Sequence, residues 1–151
     1  METTFTTLGR LRHRTITLIE GLSIDQLNKI PQGFNNNITW NTAHLVAAMQ
    51  RLCYKRSDVP LRVSETFFQR YKPESKPEHE VDERALNEIK ELLISSINQL
   101  KEDYHAGIFK TYTPFTTRYG VDVANVDDAI RFLPFHEGLH MGYIQAMKKL
   151  V

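Results

Sequence analysis

The sequence predicts an all-α protein, a four-helix bundle with an irregular crossing loop before the last helix. Apolar residues recur at helical spacing in four long segments, and no convincing pair of strands accompanies them. A chain of 151 residues with 41% hydrophobic and 25% charged residues has the size and composition of one globular domain. We therefore expect residues 1–151 to form a single helical bundle domain.

The first half of the chain supplies two of the long helices. One apolar face of the first helix is formed by Phe5, Leu8, Leu11, Thr15, Leu18, Ile19 and Leu22. A short helical segment follows, with Ser23 as its N-cap and Pro31 as its stop. The second long helix is predicted from about Thr39 to Tyr54, and His44 lies about 90° from the centre of its apolar stripe.

The second half supplies the other two long helices. Segment 55–80 contains three prolines and a charged run, which predicts a solvated loop with one helical turn at about 64–71. Apolar residues at i, i+3 and i+4 spacing then predict a helix from about Asp82 to Tyr104. The sequence predicts a last helix that begins after the N-cap Asn125 and ends near Lys149.

The segment GIFKTYTPFTTRYGVDVA, residues 107–124, connects the last two helices. It is rich in threonine and aromatic residues, and that many aromatic side chains are rarely left in water. We therefore expect an ordered crossing loop in this segment.

Charge and composition argue against several classes of function. The net charge is only +1, so no nucleic-acid or anionic-membrane partner is expected. Arg10, Arg12 and Arg14 spread around the first helix and are interpreted as a solvated face. No apolar run approaches the roughly 20 residues of a membrane helix, and no signal peptide is evident. The single cysteine, Cys53, excludes an intramolecular disulfide, and a cytoplasmic location is expected.

The pentapeptide HEGLH, residues 136–140, has the H-E-x-x-H pattern of zinc metalloproteases. On the last helix, His136 and His140 lie on the stripe that should face the core, one turn apart, so both imidazoles can reach one ion. Two structural histidines would instead need hydrogen-bond partners within one layer of an apolar core. A shared metal ion is therefore favoured over structural burial.

A third ligand is expected, because catalytic zinc sites typically have three protein ligands and an open position. In zincins with longer patterns the third ligand follows the second histidine. Here the segment after His140, MGYIQAMKKLV, contains no His, Asp, Glu or Cys. The third ligand should therefore come from an earlier helix, which argues against a peptidase of that type. His44, flanked by small and apolar residues, is the best candidate, while His13, His79 and His105 are interpreted as surface residues.

Three residues near this pair have two interpretations each. Pro134 should kink or locally open the last helix, and Gly138 would let another group approach the backbone closely, unless both are merely tolerated. Glu137 is the natural general-base candidate if HEGLH acts as in zincins. Alternatively, Glu137 orients a ligand or packs between helices.

The order of these motifs resembles a known family. WNTAHLVAAM in the second helix, FTTRYG in the crossing loop and LPFHEGLHMGYIQAMKKL in the last helix are similar to the DinB/YfiT-like family of metalloenzymes. The resemblance implies a four-helix bundle with up-down-down-up order, often a homodimer. It also implies a divalent ion, such as zinc or nickel, bound by one histidine of the second helix and the HxxxH pair of the last. Here those ligands are His44, His136 and His140.

The resemblance also implies a reaction. Some relatives activate a low-molecular-weight thiol, as bacillithiol transferases or mycothiol-dependent isomerases. We therefore expect a metal-dependent enzyme with a small-molecule substrate, S-transfer as its reaction, and a water or thiolate completing the coordination of the ion. The second hypothesis is a hydrolase with Glu137 as base. The third is a structural ion that stabilises the bundle without catalysis.

Overall fold

The computed structural model describes residues 1–151 as a mostly helical chain with one small sheet. The α-helices are α1 Glu2–Ile19, α2 Ile24–Asn28, α3 Ile38–Met49, α4 Glu65–Tyr71, α5 Glu83–His105 and α6 Val126–Met147. The all-α fold class is confirmed. The expectation of no strand pair was wrong in detail, because β1 (Phe115–Thr116) pairs antiparallel with β2 (Asp122–Val123) within the crossing loop.

Side-chain caps explain where several helices begin. Ser23 and Gln26 form a capping box at the start of α2, in which each side chain bonds the backbone N–H of the other residue. At α3, α5 and α6 the cap side chain accepts a hydrogen bond from the backbone N–H three residues later; these caps are Asn37, Asp82 and Asn125. The predicted caps Ser23 and Asn125 are therefore confirmed.

The second long helix has the predicted extent but changes its geometry. After α3 the chain continues as a π-helix over Gln50–Tyr54 and a 3₁₀ turn over Lys55–Ser57. Every residue of α3 is buried, because α2, α4, α5 and α6 all pack on it. The prediction of one apolar stripe on this helix was therefore wrong, and the position of His44 away from that stripe does not expose it.

The four long helices enclose the core. α1 packs on α5 and α6, and α3 packs on the same two helices. Two apolar clusters fill most of the interior. One contains Trp40 and Ile144, and the other contains Phe5 and Leu133. None of the helices combines the length and the hydropathy that a membrane crossing requires.

Arg12 is fully buried among these helices, so its interpretation as part of a solvated face was wrong. Its Nε donates to Glu137 Oε1 at 2.7 Å, and its Nη2 donates to the carbonyl oxygen of Leu45 at 3.0 Å. Its Nη1 donates to the carbonyl oxygen of Leu93 at 3.1 Å and to Ser96 Oγ at 3.2 Å. One side chain of α1 thus bonds to α3, α5 and α6.

The error has a simple geometric origin. At about 100° per residue, Arg12 projects between Phe5 and Leu8, in the middle of the buried face of α1. Arg10 and Arg14 lie on other faces and are exposed. Side chains that spread around a helix cannot all be solvated when one face of that helix is buried, and Arg12 is the arginine on the buried face.

α6 is one helix through Pro134. Gly138 is exposed, and a Cβ added there would meet no heavy atom within 4 Å. No other part of the chain therefore approaches Gly138 closely.

We predict that Arg12→Ala lowers the free energy of unfolding by about 3–5 kcal/mol, because it leaves the buried Glu137 carboxylate and two carbonyl oxygens without their donor. Urea unfolding followed by circular dichroism measures the change. Arg10→Ala, which removes an exposed arginine from the same helix, is the matched control and should change stability little.

If Arg12→Ala does not fold, the double variant Arg12→Met, Glu137→Leu keeps the prediction testable. Because it removes both buried charges, it should fold. An Arg12→Ala protein as stable as the Arg10→Ala protein would contradict the role assigned to Arg12.

Candidate metal centre

The structure brings together the three histidines that the sequence singles out. His44 comes from α3, and His136 and His140 come from successive turns of α6. One candidate ligand nitrogen from each ring lies within 4.8 Å of the other two. The ring centroids of His136 and His140 are 4.6 Å apart, and that of His44 is 5.3 and 4.7 Å from them, respectively. The other three histidines are exposed.

Backbone and side-chain oxygens orient two of these rings. His44 Nδ1 lies 2.7 Å from the carbonyl oxygen of Tyr71 and therefore donates its proton there. His140 Nδ1 lies 2.8 Å from Asn41 Oδ1. In both rings, the proton on Nδ1 leaves the lone pair of Nε2 free, which is the arrangement that protein metal sites use.

The acceptor beside His140 is itself fixed. Asn41 Nδ2 donates to Asn36 Oδ1 at 2.9 Å and to the carbonyl oxygen of Asn37 at 2.8 Å, so the amide oxygen of Asn41 must face His140. Trp40 stacks on His44, with ring centroids 4.5 Å apart and an interplanar angle of 13°. Trp40 and Asn41 lie one helical turn before His44 on α3, and together they restrain two of the three imidazoles.

His136 has no such partner. Its Nδ1 is buried and makes no hydrogen bond with the protein, an arrangement that costs about 1–3 kcal/mol for a polar group. Three imidazole nitrogens so close together are a donor set that suits zinc, nickel, copper or iron. The unpartnered nitrogen and this donor set fit a bound divalent ion.

Burial keeps the three rings neutral. Removal from water lowers the pKa of His44 to about 4, although the bond to Tyr71 opposes this shift. Burial lowers the pKa of His136 to about 2 and that of His140 to about 3, and the neighbouring histidines and Arg118 add to both shifts. All three imidazoles are therefore unprotonated at pH 7, the state in which they bind metals.

Glu137 occupies a different environment from the histidines on either side of it. It is buried, its Oε1 pairs with Arg12, and its Oε2 has no hydrogen-bond partner. Burial raises the pKa of this carboxyl group, and the Arg12 guanidinium acts in the opposite direction. The side chain of Glu137 therefore points towards α1.

A cavity of about 530 Å³ opens beside the three histidines, and Glu137 is not among the residues that line it. One wall comes from α3 and its π-helical continuation, a second from α6, and a third from the tip of the crossing loop. Aromatic side chains line much of this cavity, namely Trp40, Phe115, Tyr119, Phe132 and Tyr143. The arrangement can hold a small molecule next to the histidines.

Sequence reasoning missed several of the residues that build this site. Asn41 was an available signal, because it places a side-chain amide one turn before His44 on the same helix. The carbonyl oxygen of Tyr71 gave no signal, since any residue type carries one. Arg12 could have been identified from its position on the buried face of α1.

We predict that the metal-free protein loses stability as the pH falls below about 6.5. The unfolded chain binds protons on these histidines near pH 6.5, whereas the folded chain resists protonation until about pH 4 or below, so acid favours unfolding. Each histidine contributes up to about 1.4 kcal/mol per pH unit within this range. Urea unfolding with a chelator present, at several pH values from 7 to 5, measures the slope.

His136→Ala should make this pH dependence shallower, because one of the three protonation sites is removed from both states. His79→Ala, which removes an exposed histidine, should leave it unchanged. Stability that does not change between pH 7 and 5 would contradict the burial of three neutral rings, as would equal slopes for His136→Ala and the wild type.

Comparison with known proteins identifies the family of the chain. The family model for the DinB superfamily matches residues 7–144, which include all three histidines, the whole of α3 and most of α6. No individual curated protein matches the sequence. The match covers nearly the whole chain, and the protein therefore belongs to the DinB superfamily.

Proposed function

We propose that this protein is a metal-dependent enzyme in which His44, His136 and His140 hold one divalent ion, zinc or nickel, beside the cavity. The reaction that we propose is S-transfer from a low-molecular-weight thiol to a small-molecule substrate. The observation that carries the proposal is three imidazoles with nitrogens within 4.8 Å of one another at the edge of a cavity of about 530 Å³.

The residues around the histidines would prepare the site for this chemistry. When bound, such an ion lowers the pKa of a thiol or a water molecule and so supplies a nucleophile near neutral pH. Tyr71 and Asn41 hold two imidazoles in the tautomer that leaves Nε2 free. Trp40 limits the motion of the His44 ring, and the aromatic walls of the cavity would exclude water from part of a bound substrate.

The number of candidate ligands favours catalysis over a structural ion. Structural zinc sites are usually closed by four protein ligands, whereas catalytic sites have three and keep one position open. No carboxylate or thiol joins the three histidines within the same distance. Since the cavity borders these rings, a small molecule could reach the open position.

The position of Glu137 favours S-transfer over hydrolysis with this residue as base. A general base must come within hydrogen-bond reach of the proton that it abstracts, directly or through one water molecule. Glu137 is paired with Arg12 and does not line the cavity. Of the two remaining interpretations, orienting a ligand or packing between helices, we therefore assign Glu137 the second, since it pairs with Arg12 of α1.

We also propose that the four long helices form one domain with up-down-down-up order. Arg12 contacts Glu137, and Lys148 Nζ donates to the carbonyl oxygen of Leu18, which supports parallel α1 and α6. The contacts of Glu2 with Lys101 and His105 support antiparallel α1 and α5. Antiparallel α3 and α6 follow from the pairing of His44 with His136 and of Asn41 with Met147. The homodimer and the cytoplasmic location remain predictions.

We predict that His44→Ala and His136→Ala each lose most of the bound metal, because two imidazoles rarely suffice to hold such an ion. The measurement is the metal content of each purified variant, followed by zinc titration of the chelator-treated protein. His79→Ala, which removes an exposed histidine outside the cavity, is the matched control and should retain wild-type metal content.

Glu137→Gln is the complementary variant. It should retain the metal, because the Glu137 side chain faces Arg12 and is not one of the clustered ligands. Full metal occupancy in His44→Ala would contradict the proposed ligand set. Loss of metal in Glu137→Gln, with the protein still folded, would place this carboxylate among the ligands and contradict the role given to it here.

A further inference from the structure

Three arginines line the cavity beside the histidines. Arg51 comes from the π-helical continuation of α3, Arg56 from the 3₁₀ turn after it, and Arg118 from the loop between β1 and β2. Glu74 is the only acidic residue of the lining. With neutral histidines the lining carries a formal charge of +2, three arginines less one glutamate, against +1 for the whole chain. Positive charge is therefore concentrated at this cavity.

None of these arginines has a carboxylate partner. Four other arginines of the chain pair with an aspartate or glutamate, whereas Arg51, Arg56 and Arg118 form no salt bridge. Arg51 and Arg56 are half-buried and Arg118 is exposed. Three like charges that border one cavity repel one another, and an anion placed between them would relieve that repulsion.

Arg56 is the most firmly held of the three. Its Nη1 donates to the carbonyl oxygen of Thr113 at 2.9 Å, and its guanidinium carbon lies 3.7 Å from the centre of the Phe115 ring. Its Nε is buried and has no hydrogen-bond partner. A guanidinium held in place in this way loses little freedom when it binds a ligand.

We propose that the cavity binds a small molecule with an oxyanion, a carboxylate or a phosphoryl group, which pairs with Arg51, Arg56 and Arg118. Guanidinium groups form charge-assisted, often bidentate hydrogen bonds with both kinds of oxyanion. Arg118 and the histidines line one cavity, so the same molecule extends from the arginines towards His44 and His136. The proposal rests on the proposed function in one respect, that the reacting end of the molecule is the end at the histidines.

Calorimetric titration of the chelator-treated protein tests the binding part alone. The probes are succinate and inorganic phosphate, with neutral succinamide as the matched ligand control, all at one fixed ionic strength. We expect saturable binding of succinate, of phosphate or of both, and none of succinamide. Arg51→Ala with Arg118→Ala should weaken the binding by roughly tenfold or more, as expected for the loss of charged hydrogen bonds.

The matched protein control is Arg10→Ala with Arg14→Ala, which removes the same charge from exposed positions outside the cavity. It should bind the anions as the wild type does. Arg118→Ala alone, at an exposed position in a loop, replaces the double variant if that protein does not fold, and it should weaken binding by a smaller factor.

Zinc titration of the same proteins separates this inference from the proposed function. The Arg51→Ala, Arg118→Ala protein should bind zinc as the wild type does. Anion binding that is absent, that equals succinamide binding, or that survives the loss of both arginines would overturn this inference even if zinc still binds. A wild-type protein that binds the anions but no zinc would contradict the proposed function and the orientation of the ligand, while the anion site itself would stand.

Discussion

The buried side chain of Arg12 is the constraint on which the rest of the bundle depends. A guanidinium cannot give up its charge in a protein, so burial requires that its donors find acceptors. Four hydrogen bonds from this one group reach the other three long helices. Two of the acceptors belong to Leu45 and Glu137, which follow His44 and His136 directly in the sequence. Arg12 therefore fixes how α3 and α6 are turned towards each other, and with it the distance between the histidines.

The two sides of α6 differ in net charge. On the side that faces α1, the positive charge of Arg12 is balanced by Glu137. On the side of the cavity, neutral histidines lie beside arginines that have no acidic partner. Like charge near the histidines disfavours their protonation, and the same arginines attract anions. The cavity side of α6 thus combines unprotonated imidazoles with positive charge that selects the charge of the molecule that comes near them.

Much of the site could be predicted from local spacing. The pair His136 and His140 follows from an i, i+4 spacing on an apolar stripe, and the four long helices follow from their periodicity. His44 was harder to predict, because every residue of α3 is buried. The helix therefore has no apolar stripe that indicates which of its side chains face the interior. Arg118 comes from the crossing loop, and its meeting with Arg51 and Arg56 depends on tertiary packing that no local pattern encodes. Arg12 is different, since its position among apolar residues was visible in the sequence.

The crystal structure of the zinc-loaded protein, with the ion located by its anomalous scattering, tests the central claim most directly. The result predicted is one ion per chain, bound by nitrogens of His44, His136 and His140 at about 2.0–2.1 Å, with its remaining position open to the cavity. An ion bound elsewhere, or closed off by a fourth protein ligand, would contradict a catalytic centre made of these three histidines.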